Sequence, residues 1–171
     1  AAVDAMRDKL RECDFGGIVV IGEGEKDEAP MLFNGEVVGK SPNVAWDIAV
    51  DPIDGTKLAA GNLPGAVAVI AASERGTMFD CHEVYYMKKL AAPGIARGVL
   101  DIDKSATENI QLLAELLDVP VSEVRVAVIN KPNNFDLIEE VQAAGAKWVR
   151  FDEGDINMAV AAAIKGSGVD L

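Results

Sequence analysis

Cysteine, histidine, long apolar runs and positive charge are all scarce in this chain of 171 residues. The two cysteines, Cys13 and Cys81, lie far apart with no Cys-x-x-Cys spacing. That excludes a disulfide framework and a zinc knuckle, and makes a reducing cytoplasmic setting the default. The one histidine, His82, has no serine or cysteine nucleophile to pair with and reads as a surface or loop residue. No stretch of about 18 apolar residues exists to cross a bilayer as a helix, and the quietest run, residues 63–72, is broken by Pro64 and Gly65. Only 16 Lys and Arg stand against 28 Asp and Glu, for a net charge of −12. A field of that sign repels phosphate polymers and anionic lipid, so neither nucleic acid nor a membrane surface is expected as a partner. The first residues, Ala1-Ala2-Val3-Asp4, have no initiator Met and no basic-then-apolar leader pattern. The last, Val169-Asp170-Leu171, stop as abruptly, and both ends read as those of a fragment.

What is present is enough for a core, because half of the residues are apolar and the mean hydropathy is slightly positive. Val3, Met6 and Leu10 recur at helical spacing and predict an amphipathic helix over residues 1–13. β-Branched runs predict buried strands at 18–21 and 45–50, with further strands at 66–72, 83–90 and 97–103. From there helices at 106–117, 135–144 and 156–164 alternate with strands at 124–129 and 148–151. Such alternation argues for a parallel or mixed sheet covered by helices, hence the α/β class in α+β layers. A boundary near residue 103 divides a front part, 1–103, from the start of an α/β part, 104–171. Trp46 and Trp148 are expected in the core.

Both of the first two strands run into acidic turns. One is Gly22-Glu23-Gly24-Glu25, followed by Asp27 and Glu28; the other is Asp51-Pro52-Ile53-Asp54-Gly55-Thr56. Two carboxylates three residues apart, with Pro fixing φ after the first and Gly freeing the backbone after the second, can aim the same way. Like charges so close call for a cation, and oxygen donors suit Mg²⁺ or Mn²⁺. The Ile53 carbonyl offers another oxygen, and the Thr56 hydroxyl stands where it can orient a water. Alone, the second pattern is equally that of a solvated acidic turn; the two together favour a site for one or two metals. The glycines of the first turn do not make a dinucleotide fingerprint, since a third is missing and acidic side chains repel pyrophosphate.

These segments, with Asp47-Ile48-Ala49-Val50 before the second and Tyr86-Met87-Lys88-Lys89-Leu90 after it, resemble class II fructose-1,6-bisphosphatase, a family of the lithium-sensitive, metal-dependent sugar phosphatases. The resemblance runs through the whole chain and covers about the middle half of a family member. It implies a sugar-phosphatase-like αβαβα sandwich, incomplete in this fragment. It also implies hydrolysis of the 1-phosphate of fructose-1,6-bisphosphate to fructose-6-phosphate, extending in phototrophs to sedoheptulose-1,7-bisphosphate, by a cytoplasmic homo-oligomer, a dimer or tetramer. By the same resemblance Glu23, Asp51, Asp54 and the carbonyl of Ile53 hold Mg²⁺ or Mn²⁺, and Asp27 with Thr56 orients and activates the attacking water. Asp54, Gly55 and Thr56 line the place of the 1-phosphate. Tyr86 contacts substrate, and Glu153-Gly154-Asp155 matches the Asp-Gly-Asp that binds sugar hydroxyls.

Two departures qualify the carry-over. Lys131-Pro132-Asn133-Asn134 stands where the family has Lys-Pro-Arg-His or a near variant, so a bidentate phosphate clamp is lost and Lys131 remains as a point charge. Glu153 replaces the usual Asp. One metal-binding Asp is expected upstream of Ala1 and one Glu downstream of Leu171. At the level of sequence two alternatives stay open: a phosphatase of inositol or nucleotide phosphates in the same superfamily, and a catalytically silent fragment that binds metal or oligomerises. The acidic composition itself fits a phosphate substrate, because divalent cations reverse the local sign around Glu23, Glu25, Asp27, Asp51 and Asp54.

Overall fold

A computed structural model of the chain describes residues 2–23, 32–81, 84 and 86–171. It resolves into two compact units, one of Ala1–Asp54 with Ala66–Tyr86 and one of Gly55–Gly65 with Met87–Leu171.

In the first unit, helix α1 (Ala2–Glu12) turns its Val3, Met6 and Leu10 stripe inward, with Asp4 in its first turn and Lys9 and Arg11 in its last, the signs that the helix dipole favours. It covers a sheet of β1 (Gly17–Ile21), β2 (Val37–Val38), β3 (Trp46–Asp54) and β4 (Val67–Glu74) in the order β2-β1-β3-β4. β1 and β3 run parallel; the outer pairings are antiparallel. Leu10, Val19, Leu32, Val38, Ile48 and Val50 form the core beneath α1.

In the second unit a short helix α2 (Thr56–Ala60) is followed, further along the chain, by α3 (Ala106–Leu117). The reciprocal hydrogen bonds of Ser105 and Glu108 cap α3. Then β5 (Arg125–Ile129), α4 (Phe135–Ala143) and β6 (Lys147–Phe151) make a parallel βαβ unit, and α5 (Asp155–Ala163) follows. Ile110, Leu113, Val124, Val126, Ile138 and Val141 pack between α3, α4 and these strands. The end of the chain lies along the other edge of β5: Leu171 donates to Arg125 O and accepts from Ala127 N at 2.8 Å, while Asp170 takes both Nε and Nη2 of Arg125. β5 is thus flanked on both sides.

Strands with covering helices place the chain in the α/β class, as the alternating pattern predicts. Some elements differ from expectation. The second strand does not stop at residue 50 but continues through Asp54, because Asp51 and Asp54 still pair with β4. No strand forms at 97–103, where a 3₁₀ turn (Gly94–Ala96) leads into backbone bonds from Val99 and Leu100 to Ala96 O, which satisfy the segment locally. Among the described residues of 83–90 there is likewise no strand; Tyr86 and Met87 are exposed, and strand propensity without a partner edge does not suffice. His82 and Glu83 lie outside the described residues. Trp46 is not in the core: at the first position of β3 it is 41% exposed. Trp148 is half-buried and donates its indole N–H to Val128 O at 2.9 Å. Among the described residues no helix is long and apolar enough to cross a membrane.

Candidate active site

In a regular strand, residues three apart face opposite sides of the sheet. Asp51 and Asp54 escape that rule through a bulge. Asp51 stands opposite Val69 and Asp54 opposite Val67, so three steps along β3 answer two along β4. The extra residue restores the parity and brings both carboxylates to the face of β3 that Asp47 and Ala49 occupy, opposite the Ile48 and Val50 face packed in the core under α1. Pro52 costs the ladder no hydrogen bond at such an irregularity. The turn foreseen at 51–56 is therefore a bulged strand end, closed by Gly55 at φ 86°. Asp51 Oδ1 accepts from Ile53 N at 3.1 Å, and Asp54 is buried.

Glu23 follows the end of β1. It lies two residues past Ile21, which stands opposite Ala49, just as Asp51 lies two residues past Ala49 on the neighbouring parallel strand. Its backbone is pinned: Glu23 N donates to Leu32 O and Gly22 N to Asn34 Oδ1. Gly22 permits this approach, since a Cβ there would stand 2.0 Å from Leu32 O. Leu32 N in turn donates to the carboxylate of buried Glu36, which also accepts from Arg7 Nε. Asp27, assigned to water activation, lies outside the described residues, as do Glu25 and Glu28. The donors available here are oxygens, the chemistry of a hard divalent cation. Among the described residues, however, no group of three or more His, Cys, Asp or Glu side chains is arranged to hold a metal ion.

Asp47, on the same face as Asp51, has a different task. It is 1% exposed and accepts from Arg75 Nη1 at 2.7 Å, Gly76 N at 2.6 Å and Met78 N at 3.1 Å. Burial pushes its carboxyl up, but the N–H groups of Met78 and Gly76 together with Arg75 outweigh that and hold it below the ordinary carboxylate range. A group depressed in the folded state stabilises the fold above its unfolded pKa and loses that contribution as pH falls through the folded value. Asp47→Asn is expected to lower stability at neutral pH and to flatten its further decline below about pH 4. Urea unfolding at a series of pH values measures this; an unchanged pH slope contradicts it.

In the second unit the remaining expected residues gather at the carboxyl ends of β5 and β6, where open parallel sheets bind ligands. Lys131, Pro132 and Asn133 follow β5 and are exposed; Glu153, Gly154 and Asp155 follow β6. The two loops are tied by Asn130 Nδ2 donating to Asp152 Oδ1 at 2.8 Å. Glu153 Oε2 accepts from Lys57 N at 2.7 Å and Oε1 lies 3.2 Å from Lys57 Nζ. The Lys57 N–H bond is the main cause of a lowered Glu153 carboxyl. Asp155 pairs with Lys89 at 2.9 Å. Burial raises Asp155, and the Lys89 hydrogen bond and charge outweigh it, with Lys131 adding to the effect. A cleft of about 390 Å³ opens beside these loops, lined by Lys57, Leu63, Pro64, Phe151, Glu153 and Asn157 among others. A larger hollow of about 550 Å³ lies at the end of α3, between Gln111 and Val121, and holds none of the expected residues. Tyr86, in the first unit, is 83% exposed.

The sequence carries no local signal for the pairings of Lys57, Lys89, Glu36 and Asp47. The partners of all four lie 28 to 96 positions away, except for the Leu32 N–H that Glu36 accepts. No local pattern announces them.

The family model described as bacterial fructose-1,6-bisphosphatase, glpX-encoded, matches residues 1–171. The chain belongs to this family. Among its relatives, a protein of Synechococcus sp. (strain CC9605) is 48% identical over 167 residues, 98% of this chain and 50% of the relative. A protein of Prochlorococcus marinus (strain MIT 9303) is 47% identical over 168 residues, with the same coverage. Both are named D-fructose 1,6-bisphosphatase class 2/sedoheptulose 1,7-bisphosphatase. The chain spans about half the length of the curated relatives it matches.

Proposed function

We propose that the chain is part of a cytoplasmic phosphoric monoester hydrolase that converts fructose-1,6-bisphosphate to fructose-6-phosphate and also accepts sedoheptulose-1,7-bisphosphate. The observation that carries this reading is the bulge at the end of β3, which turns Asp51 and Asp54 to one face in a chain matched over its full length by the fructose-bisphosphatase family. Glu23, Asp51, Asp54 and the carbonyl of Ile53 are proposed as oxygen donors to Mg²⁺ or Mn²⁺, completed by acidic residues beyond those described. When bound, such a cation neutralises phosphate charge and raises the acidity of water.

The protein's own groups do the rest. Asp54, Gly55 and Thr56 receive the 1-phosphate, and the Thr56 hydroxyl orients the attacking water. Asp27 takes the water's proton as the new P–O bond forms. The bond between phosphorus and the C1 oxygen breaks in line with the attack, and that oxygen takes a proton from solvent water and leaves as the sugar hydroxyl. Lys131, Pro132, Asn133, Gly154, Asp155 and Tyr86 are proposed to meet the rest of the sugar phosphate. Asn133, lacking a guanidinium, makes that grip weaker than an Arg would. A functional division near residue 103, between a metal-binding front part and a substrate-binding part, and assembly as a dimer or tetramer belong to the same proposal.

Phosphate release by the full-length protein from fructose-1,6-bisphosphate and from inositol-1-phosphate, with Mg²⁺ or Mn²⁺, tests the reading. Turnover of the first at least about tenfold more efficient in kcat/KM is expected. Preference for the inositol phosphate, or no turnover of either, refutes it.

A further inference from the structure

We infer that Glu153 is a positioning residue: its carboxylate sets the start of α2, and through it Thr56, in preference to binding the sugar. The inference deepens the phosphatase reading and rests on it for the role of Thr56.

α2 has five residues, far below the length at which a helix holds itself in water. Its first N–H groups have no partner within the helix. A Ser, Thr, Asp or Asn at the N-cap ordinarily supplies an acceptor, but that position is Gly55, which has no side chain and makes no cap bond. The acceptor comes instead from 96 residues further along the chain. Glu153 Oε2 takes the Lys57 N–H at 2.7 Å, and Oε1 faces Lys57 Nζ at 3.2 Å. Both carboxylate oxygens are therefore engaged by the residue that follows Thr56. A bond to an ionised acceptor is among the stronger hydrogen bonds a protein makes.

A second contact secures the same segment. Gly154 packs so closely on the α2 region that a Cβ there would lie 3.3 Å from both Gly65 O and Leu58 Cδ1. The side-chain length at 153 then acquires a reason. Asp, shorter by one methylene, leaves its oxygens about one bond length further from the Lys57 N–H. The bonds to Lys57 take one acceptor site on each oxygen and fix the direction in which the Glu153 carboxylate faces.

Steady-state kinetics on fructose-1,6-bisphosphate and amide hydrogen exchange at Lys57, both in the full-length protein, test the inference. Glu153→Ala is expected to lower kcat by on the order of 10²-fold, the effect of a misplaced reacting group, with KM changed less than about twofold. Glu153→Asp should behave like the Ala variant. Glu153→Gln, which keeps a neutral acceptor of full length, should recover kcat to within about fivefold of wild type. Exchange at Lys57 should quicken by about tenfold or more in the Ala and Asp variants and stay near wild type in the Gln variant. A raised KM with unchanged kcat, or full activity of Glu153→Asp, makes Glu153 a sugar ligand and overturns the inference. Lys57 exchange unaffected by Glu153→Ala overturns it as well. A wild-type protein that releases no phosphate removes the phosphatase reading alone, and Lys57 exchange still decides whether Glu153 sets the start of α2.

Discussion

Asp51→Asn in the full-length protein is expected to lower metal-dependent phosphate release from fructose-1,6-bisphosphate by on the order of 10³-fold or more. The substitution is chosen for what it leaves in place. Asp51 Oδ1 accepts the Ile53 N–H at 3.1 Å, and an Asn of the same size offers the same acceptor. The bulge between Asp51 and Asp54, and with it the pairing to Val69 and Val67, should persist. What disappears is one negative charge on the face of β3 that Asp54 shares. Thermal unfolding close to wild type, together with lost turnover and weaker Mn²⁺ uptake by calorimetry, is the expected pattern. Asp51→Ala, lacking the acceptor, should add a stability loss of about 1 kcal/mol. Unchanged turnover in Asp51→Asn would remove Asp51 from the site.

The second large effect is expected at Glu36, to which no part in the chemistry is assigned. Glu36 is buried, and its carboxylate accepts from Arg7 Nε and from the backbone N–H of Leu32. Leu32 is itself fully buried and holds φ at 54°, a conformation costly for a branched side chain. Its carbonyl accepts from Glu23 N, so the chain of contacts ends at a proposed metal ligand. Glu36→Ala leaves the Leu32 N–H without its acceptor and Arg7 without its partner, and should destabilise the fold by about 3 kcal/mol. Glu36→Gln keeps an acceptor for Leu32 and should cost about half as much. Urea unfolding monitored by circular dichroism gives both values, and amide exchange at Glu23 should quicken in the Ala variant. A loss below about 1 kcal/mol in Glu36→Ala would mean that the network does not hold the strand end.

Several features were legible from the residues because they depend on neighbours in sequence. The stripe of Val3, Met6 and Leu10 marks α1, and α3 spans the expected residues 106–117. The alternation after residue 103 matches β5, α4, β6 and α5 to within a residue or so at their ends. Glu23 lies just past β1, and Asp51 and Asp54 lie at the end of β3, after the apolar runs that mark those strands. The strand expected at 97–103 does not form, nor does one among the described residues of 83–90, for one physical reason. An apolar run becomes a strand only when another strand offers its edge, and which edges are free is not written locally.

The arrangement of the site belongs to the same distinction. The sequence alone determined that an apolar run leads into Asp51 and Asp54, with a Pro between them and a Gly after them, and that this pattern resembles the fructose-bisphosphatase family. Only the tertiary structure decided that the two carboxylates share a face, because that depends on which residues of β4 lie opposite them. Only it showed that Asp47 is consumed by Arg75, Gly76 and Met78, and that Glu153 serves the Lys57 N–H. Chemical type is a local property of a chain, whereas the partner of a charge is set by folding that brings distant residues within hydrogen-bond reach.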